Sequence, residues 1–221
     1  MTIPETVTSI ERKAFEGCKA LESITLPKNL KEIGELAFYG TGLKTIAIPD
    51  GITAISKSAF SYCESLESVT LPKTLTSIKD AAFGGSIALA SIEIPDGVTE
   101  IGSGAFTGCS ISSIDIPDSV TVMGSSVFSR CEKLTSVKLS KNLTVLESLF
   151  GGARNISSIT IPKSVTRIKS GAISDTNITS VIFEEAAQWE VEWTFASVTL
   201  GNDPIADAKE LKNWRYDFVK Q

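Results

Sequence analysis

The sequence predicts an α/β repeat solenoid: a right-handed superhelix of about eight repeats of 22–23 residues, closed at the C-terminus by an aromatic cap. Three observations predict it. Proline recurs at a fixed interval, the same short aliphatic phrase stands before each proline, and a phenylalanine recurs in register with both. Self-similarity at such a period is the signature of stacked supersecondary units, none of which can bury its apolar face alone.

The prolines are Pro4, Pro27, Pro49, Pro72, Pro95, Pro117 and Pro162, with Ser140 in the one vacant slot. The phrase ahead of them reads Ser23-Ile24-Thr25-Leu26 in one copy, Ser91-Ile92-Glu93-Ile94 in another and Ser158-Ile159-Thr160-Ile161 in a third. It alternates at period 2, so it predicts a short β-strand with both aliphatics on one side. Proline then stops the strand, because it has no N–H to give to a ladder. Three residues after the proline slot comes an aliphatic column that includes Val7, Leu30, Ile52 and Leu75, and three further on a second one, Ile10, Ile33, Ile55 and Ile78 among them. Ile10, Ala14, Phe15 and Cys18 are spaced as one face of a short helix or helical turn, which predicts a helical return leg. Phe15, Phe38, Phe60, Phe83, Phe106, Phe128 and Phe150, with Ile173 in the last place, should stack as a continuous internal ladder. At a strand spacing of about 4.8 Å, eight turns would extend roughly 35 to 40 Å. Repeats one residue shorter lose it between the phenylalanine and the following leucine or isoleucine, where a turn absorbs it.

Composition sets the outer limits. The 221 residues are 42% hydrophobic and 21% charged, which argues for a folded chain. Net charge is −5, and Lys and Arg are scattered without a run, so a nucleic-acid partner is not expected. No apolar stretch approaches the 18 to 20 or so residues of a membrane span. Met1–Glu5 lacks the signal-peptide pattern, but the chain opens in mid-phrase at Thr2-Ile3-Pro4. Either the native N-terminus lies upstream, or the first turn is tolerated bare. There is no histidine, which removes Ser-His-Asp triads, Cys-His dyads and His-based zinc sites.

The phrase Leu21-x-x-Ile24-x-Leu26, and again Leu66-x-x-Val69-x-Leu71, resembles the leucine-rich repeat. The fuller pattern, with proline after the phrase and Ala-Phe before the cysteine column, is similar to the bacterial surface-antigen class called BspA-like. The resemblance spans residues 2 to about 184 and departs only at Ser140 and Ile173. It implies a secreted or surface protein of host-associated bacteria that binds or adheres, with no catalytic residues and no cofactor to carry over.

Residues 1–184 are therefore expected to form the solenoid and residues 185–221 a capping segment. Beyond Glu185 the repeat stops and Trp189, Trp193, Trp214, Tyr216 and Phe218 appear. Asp203 and Pro204 would start a short helix over 205–213. These aromatics read either as a plug over the last turn or as a ligand platform; the resemblance of residues 213–218 to end caps of relatives favours the plug.

Cys18, Cys63, Cys109 and Cys131 share one column with Thr41, Ser86, Ala153 and Thr176, so they read as small buried thiols. Only Cys109 and Cys131 lie in adjacent repeats, and their parallel Cβ vectors suit a disulfide poorly. Asn142, Asn155 and Asn177 sit in glycosylation sequons, which a chain rich in Ser and Thr produces by chance. On the strand face, expected to be concave, the residues between the aliphatics are mostly small and polar, and Glu93, Asp115 and Lys138 are the only charged ones. The candidate binding patch is therefore Ser91, Glu93, Ser113, Asp115, Ser136 and Lys138. No catalytic residue, metal ligand or cofactor is predicted. The function expected is non-enzymatic binding of a host or bacterial protein or glycan; the alternative is a spacer with no ligand of its own. Membrane insertion is not expected, and the oligomeric state is not set by the sequence.

Overall fold

The computed structural model describes residues 1–169 and 171–184, together with the backbone of 189–191 and 218–220. It is a parallel β-solenoid of about 8 stacked turns. Each turn contributes two short strands to two separate ladders, and the aliphatic and phenylalanine columns fill the space between them.

The first ladder is built from the predicted phrase. Thr45–Ala47 pairs in parallel with Ser68–Thr70, Ser113–Asp115 with Ser136–Lys138, and Ser158–Ile161 with Ser180–Phe183. At the N-terminal end Thr2 bridges Thr25. Burial alternates as the period predicts: Ile46, Val69, Ile114 and Val137 point inward while the residues on either side of each are exposed. The turn after each strand is closed by a bond from the next column to the proline carbonyl, as from Leu30 N–H to Pro27. Ser140 makes the same turn, with Leu143 N–H donating to its carbonyl. Its buried hydroxyl donates to the Val120 carbonyl at 2.6 Å and accepts from Asn142 N–H. The vacant proline slot is thus filled by hydrogen bonds.

The return leg differs from the helix that the sequence spacing predicts. The Ile10 column lies in a second ladder: Ser9–Ile10 pairs with Glu32–Ile33. Ala54–Ile55, Ser77–Ile78, Glu100–Ile101 and Val122–Met123 stack on one another without a break. Val145–Leu146 pairs with Arg167–Ile168. Past each of these strands the chain runs through a string of β-turns, with no helix among the described residues. The reason is a left-handed residue two places before most of the phenylalanines and another two places after each, as at Lys13 and Gly17 or Ser58 and Tyr62. Residues four apart at positive φ cannot both belong to a right-handed helix. Main-chain bonds therefore run to the next turn: the amides of Phe38, Phe60 and Phe83 donate to the carbonyls of Ala59, Ala82 and Ala105.

The predicted phenylalanine ladder is present. Rings from Phe15 to Phe150 stack in sequence, with centroids 5.1 Å apart at the first pair and 5.9 Å at the last. The middle ones are fully buried. Each buried ring contributes roughly 1.5 to 3 kcal/mol of transfer free energy.

Three of the four thiols are buried, as expected; Cys18, in the first described turn, is exposed, contrary to that expectation. All four are free. The buried ones also bond: Cys63, Cys109 and Cys131 donate to the carbonyls of Phe38, Phe83 and Phe106, and Ser86 does the same for Phe60. Burial pushes the Cys131 thiol from 9.0 up to about 12 and raises Cys63 and Cys109 as well. The sequon amides have structural roles too, each donating to a carbonyl of the preceding turn: Asn142 to Asp118, Asn155 to Glu132, Asn177 to Arg154.

Past the last turn, the backbone of Phe218–Lys220 pairs antiparallel with Arg167–Ile168, and that of Trp189–Val191 pairs antiparallel with Phe218–Lys220. One strand of reversed direction, Phe218–Lys220, and a second antiparallel to it thus extend the second ladder beyond Arg167–Ile168. The predicted helix over 205–213, together with Trp193, Trp214 and Tyr216, lies outside the described residues.

Candidate functional site

The six predicted patch residues are all exposed on the first-ladder face. Parallel register sets Ser136 beside Ser113 and Lys138 beside Asp115. Glu93 and Ser91 occupy the equivalent places one turn earlier. Period-2 alternation leaves these side chains outside because Ile92, Ile94, Ile114 and Ile116 take the inward positions.

Residues 91–94 carry a feature that the sequence did not predict. They match the strand phrase, yet they form no strand and pair with neither neighbour. Every other described copy of the phrase pairs with at least one neighbour. Clefts open on both sides. One, of about 460 Å³, lies between residues 69–73 and 93–97. The other, of about 710 Å³, lies between residues 92–96 and 113–118 and reaches Lys138. Glu93 lines both.

The clefts bring in three charged residues beyond the predicted patch: Lys73, Asp96 and Asp118. Their signal was present, since Pro95 and Pro117 are each followed by Asp where Pro27, Pro72 and Pro162 are followed by Lys. Carboxylates of Glu93, Asp96, Asp115 and Asp118 outnumber the ammonium groups of Lys73 and Lys138, so the site is net negative. Asp118 is the most constrained of them. Its carboxylate accepts from Lys141 N–H at 3.0 Å, and its other oxygen is 3.7 Å from Lys141 Nζ. That backbone bond first, then the charges of Lys141 and Lys138, hold its pKa below the ordinary aspartate value. Glu93, Asp115 and Lys138 make no side-chain hydrogen bond or ion pair within 4 Å among the described residues, so their charges remain available to a ligand. Among the described residues no three His, Cys, Asp or Glu side chains converge as metal ligands. No helix there is long and apolar enough to cross a membrane.

A parallel solenoid with an aliphatic core, a phenylalanine ladder and a polar strand face defines the leucine-rich-repeat class. The BspA type leucine rich repeat region matches residues 1–90 and 76–200 in six copies, and the chain belongs to that family. Among solved structures it is similar to a leucine-rich repeat protein of T. pallidum, at 28% identity over 70% of this chain and 65% of that one, with a TM-score of 0.56. A leucine-rich repeat protein of Bacteroides ovatus shares 28% identity over 81% of this chain and 65% of its own, with a TM-score of 0.47. The pneumococcal vaccine antigen PcpA shares 19% identity over 82% of this chain and 61% of its own, with a TM-score of 0.50, a likeness of fold alone. The chain thus spans about 65% of the length of the first two. No curated protein matches it.

Proposed function

We propose that this chain is a non-enzymatic recognition module of a bacterial surface or secreted protein, and that it binds a protein or glycan on the first-ladder face around Glu93 and Asp115. The observation that carries the reading is the pair of clefts flanking Glu93 on a hydroxyl-rich strand face. Solenoids present long strand faces to extended partners, and an exposed polar patch is informative where it coincides with a concavity. Membership of the BspA type family supports binding over chemistry and the surface location. The absence of histidine from the whole chain also favours binding over chemistry. The buried thiols, held neutral by their surroundings, are not nucleophiles at neutral pH.

The test is an array of host proteins and glycans probed with the folded chain and with a Glu93→Lys/Asp115→Lys variant. A hit that the variant loses supports the reading. A blank array with folded protein overturns it in favour of a spacer. A hit that the variant retains removes this patch as the site.

A further inference from the structure

We propose that the surface carrying Tyr39, Tyr62 and Ile87 is a second binding site, which stacks the C–H face of an uncharged sugar ring on Tyr62. It is separate from the first-ladder clefts, whose lining includes none of these residues.

Tyr62 occupies the left-handed place two residues past Phe60. That column holds glycine in five of its eight turns, and an L side chain is strained there. Tyr62 keeps φ at 55° and carries the column's one aromatic ring. The ring is held from two sides. Tyr39 packs on it from the preceding turn, with centroids 5.4 Å apart and planes tilted by 53°. Toward the following turn it leans over Gly85, where a Cβ would come within 2.8 Å of it. Gly85 is therefore its seat. Main-chain bonds fix both residues: Tyr62 N–H donates to the Gly84 carbonyl at 2.8 Å, and Gly85 N–H to the Thr107 carbonyl at 2.7 Å. The ring so held is still 54% exposed.

The apolar surface has definite limits. Ile87, two residues past Gly85, is 55% exposed and extends it. Gly108, next in the column after Gly85, leaves open space, since a Cβ there would meet nothing closer than 3.9 Å. Met1, Val122 and Ile182, the other exposed large hydrophobics among the described residues, lie in other columns.

Size and chemistry name the ligand. A whole aromatic side chain offers about 150 to 250 Å², so Tyr62 and Ile87, each about half exposed, fall far short of the roughly 800 Å² per side that a protein partner needs. A single pyranose is small enough. Its C–H hydrogens form an apolar, slightly positive face, which the negative face of an aromatic ring attracts. Its hydroxyls project from the rim, toward water or a protein acceptor. Glu64, in the place of Ile87 one turn earlier, is exposed and supplies a carboxylate acceptor. Because Tyr39 and Gly85 already fix the Tyr62 ring, stacking on it costs little side-chain entropy.

The experiment titrates the full chain, labelled with carbon-13 in its tyrosine rings, with cellotetraose. Every hydroxyl of its internal glucose units is equatorial, so both ring faces are apolar. Affinity is read from the tyrosine ring resonances, and stacking from saturation transfer to the sugar C–H hydrogens. The expected result is that the Tyr62 resonances shift and the C–H hydrogens receive saturation. Tyr62→Ala should weaken binding about tenfold or more. Tyr62→Leu, with comparable bulk and no π face, should weaken it as much, and Tyr62→Phe should retain it. In all three variants the second-ladder amides should remain slow in hydrogen exchange, which shows the fold intact. No binding of cellotetraose overturns the proposal; so does equal binding by Tyr62→Ala, or a Tyr62→Phe variant as weak as Tyr62→Ala. The Glu93→Lys/Asp115→Lys variant should bind the sugar as the parent chain does. If it loses the sugar, the sugar belongs on the first-ladder face: this proposal fails and the functional reading stands. If the array is blank while cellotetraose still binds at Tyr62, the functional reading fails and this site stands.

Discussion

The two ladders of this solenoid come from the same turns and behave differently where it matters. Over Ala54–Ile55, Ser77–Ile78, Glu100–Ile101 and Val122–Met123 the second ladder is unbroken. Over the same turns the first ladder pairs Thr45–Ala47 with Ser68–Thr70, skips residues 91–94, and resumes at Ser113–Asp115. The second ladder lies against the left-handed turns and the phenylalanine stack, whose interlocking bonds fix the spacing of each turn. The first ends in a free proline turn and faces solvent. Over residues 54–123 strand pairing is thus continuous on one side of the coil and interrupted on the other, which predicts a difference in local stability between the two sides.

The strongest way to break this contrast is to attack the side that supports it. Phe83→Ala removes a fully buried ring stacked at 5.6 Å and 5.7 Å on its two neighbours. It should cost about 3 to 5 kcal/mol in urea denaturation; a loss below about 1 kcal/mol would show that the ladder is not the main support. A matched isoleucine pair sharpens the comparison. Ile101→Ala, in the unbroken ladder and 0% exposed, should cost about 2 to 5 kcal/mol, and Ile92→Ala, 9% exposed in the open segment, should fall at the low end of that range because the site can collapse. Gly85→Ala tests the left-handed turns. Its φ is +77° and a Cβ there would come within 2.8 Å of the Tyr62 ring, so about 1 to 2 kcal/mol of backbone strain should appear together with a displaced Tyr62.

Alkaline pH probes the buried thiols. Cys131 is raised from 9.0 to about 12 in the folded state. Below pH 9 both folded and unfolded forms carry the neutral thiol. Above it the unfolded chain ionises first, so stability falls as pH rises from 9 to about 12. Cys131→Ala should show a shallower decline over that window in parallel denaturation curves. At the small end, Lys79–Glu100 is a half-exposed ion pair at 2.7 Å. Lys79→Ala should cost under about 1 kcal/mol, and a double-mutant cycle should report the same.

Columns and core were legible because burial repeats at a fixed period. Ser-Ile-x-Ile announced its inward and outward faces, and the phenylalanines announced their stack. The exposed places of Glu93, Asp115 and Lys138 followed from the same alternation. The return leg was not legible, because Ile10, Ala14, Phe15 and Cys18 fit a helical face equally well when φ is unknown. Glycine recurs at Gly17, Gly40, Gly85, Gly108 and Gly152, and this was the available clue to left-handed backbone. Tyr62, Arg130 and Asp175 adopt the same conformation with side chains, which obscured the column. The opening at residues 91–94 had no local signal at all, because Ser91-Ile92-Glu93-Ile94 is as good a strand phrase as its paired neighbours. It depends on how successive turns meet.

The most direct test of the open first ladder is native-state hydrogen exchange of the free chain, resolved to single amides. If the ladder is open, Ile92, Glu93 and Ile94 exchange about tenfold or more faster than Ile78 and Ile101, corresponding to about 1.4 kcal/mol of lost protection. Equal protection along both ladders would mean that the first ladder is closed in solution, and would contradict the open binding face on which the functional reading depends.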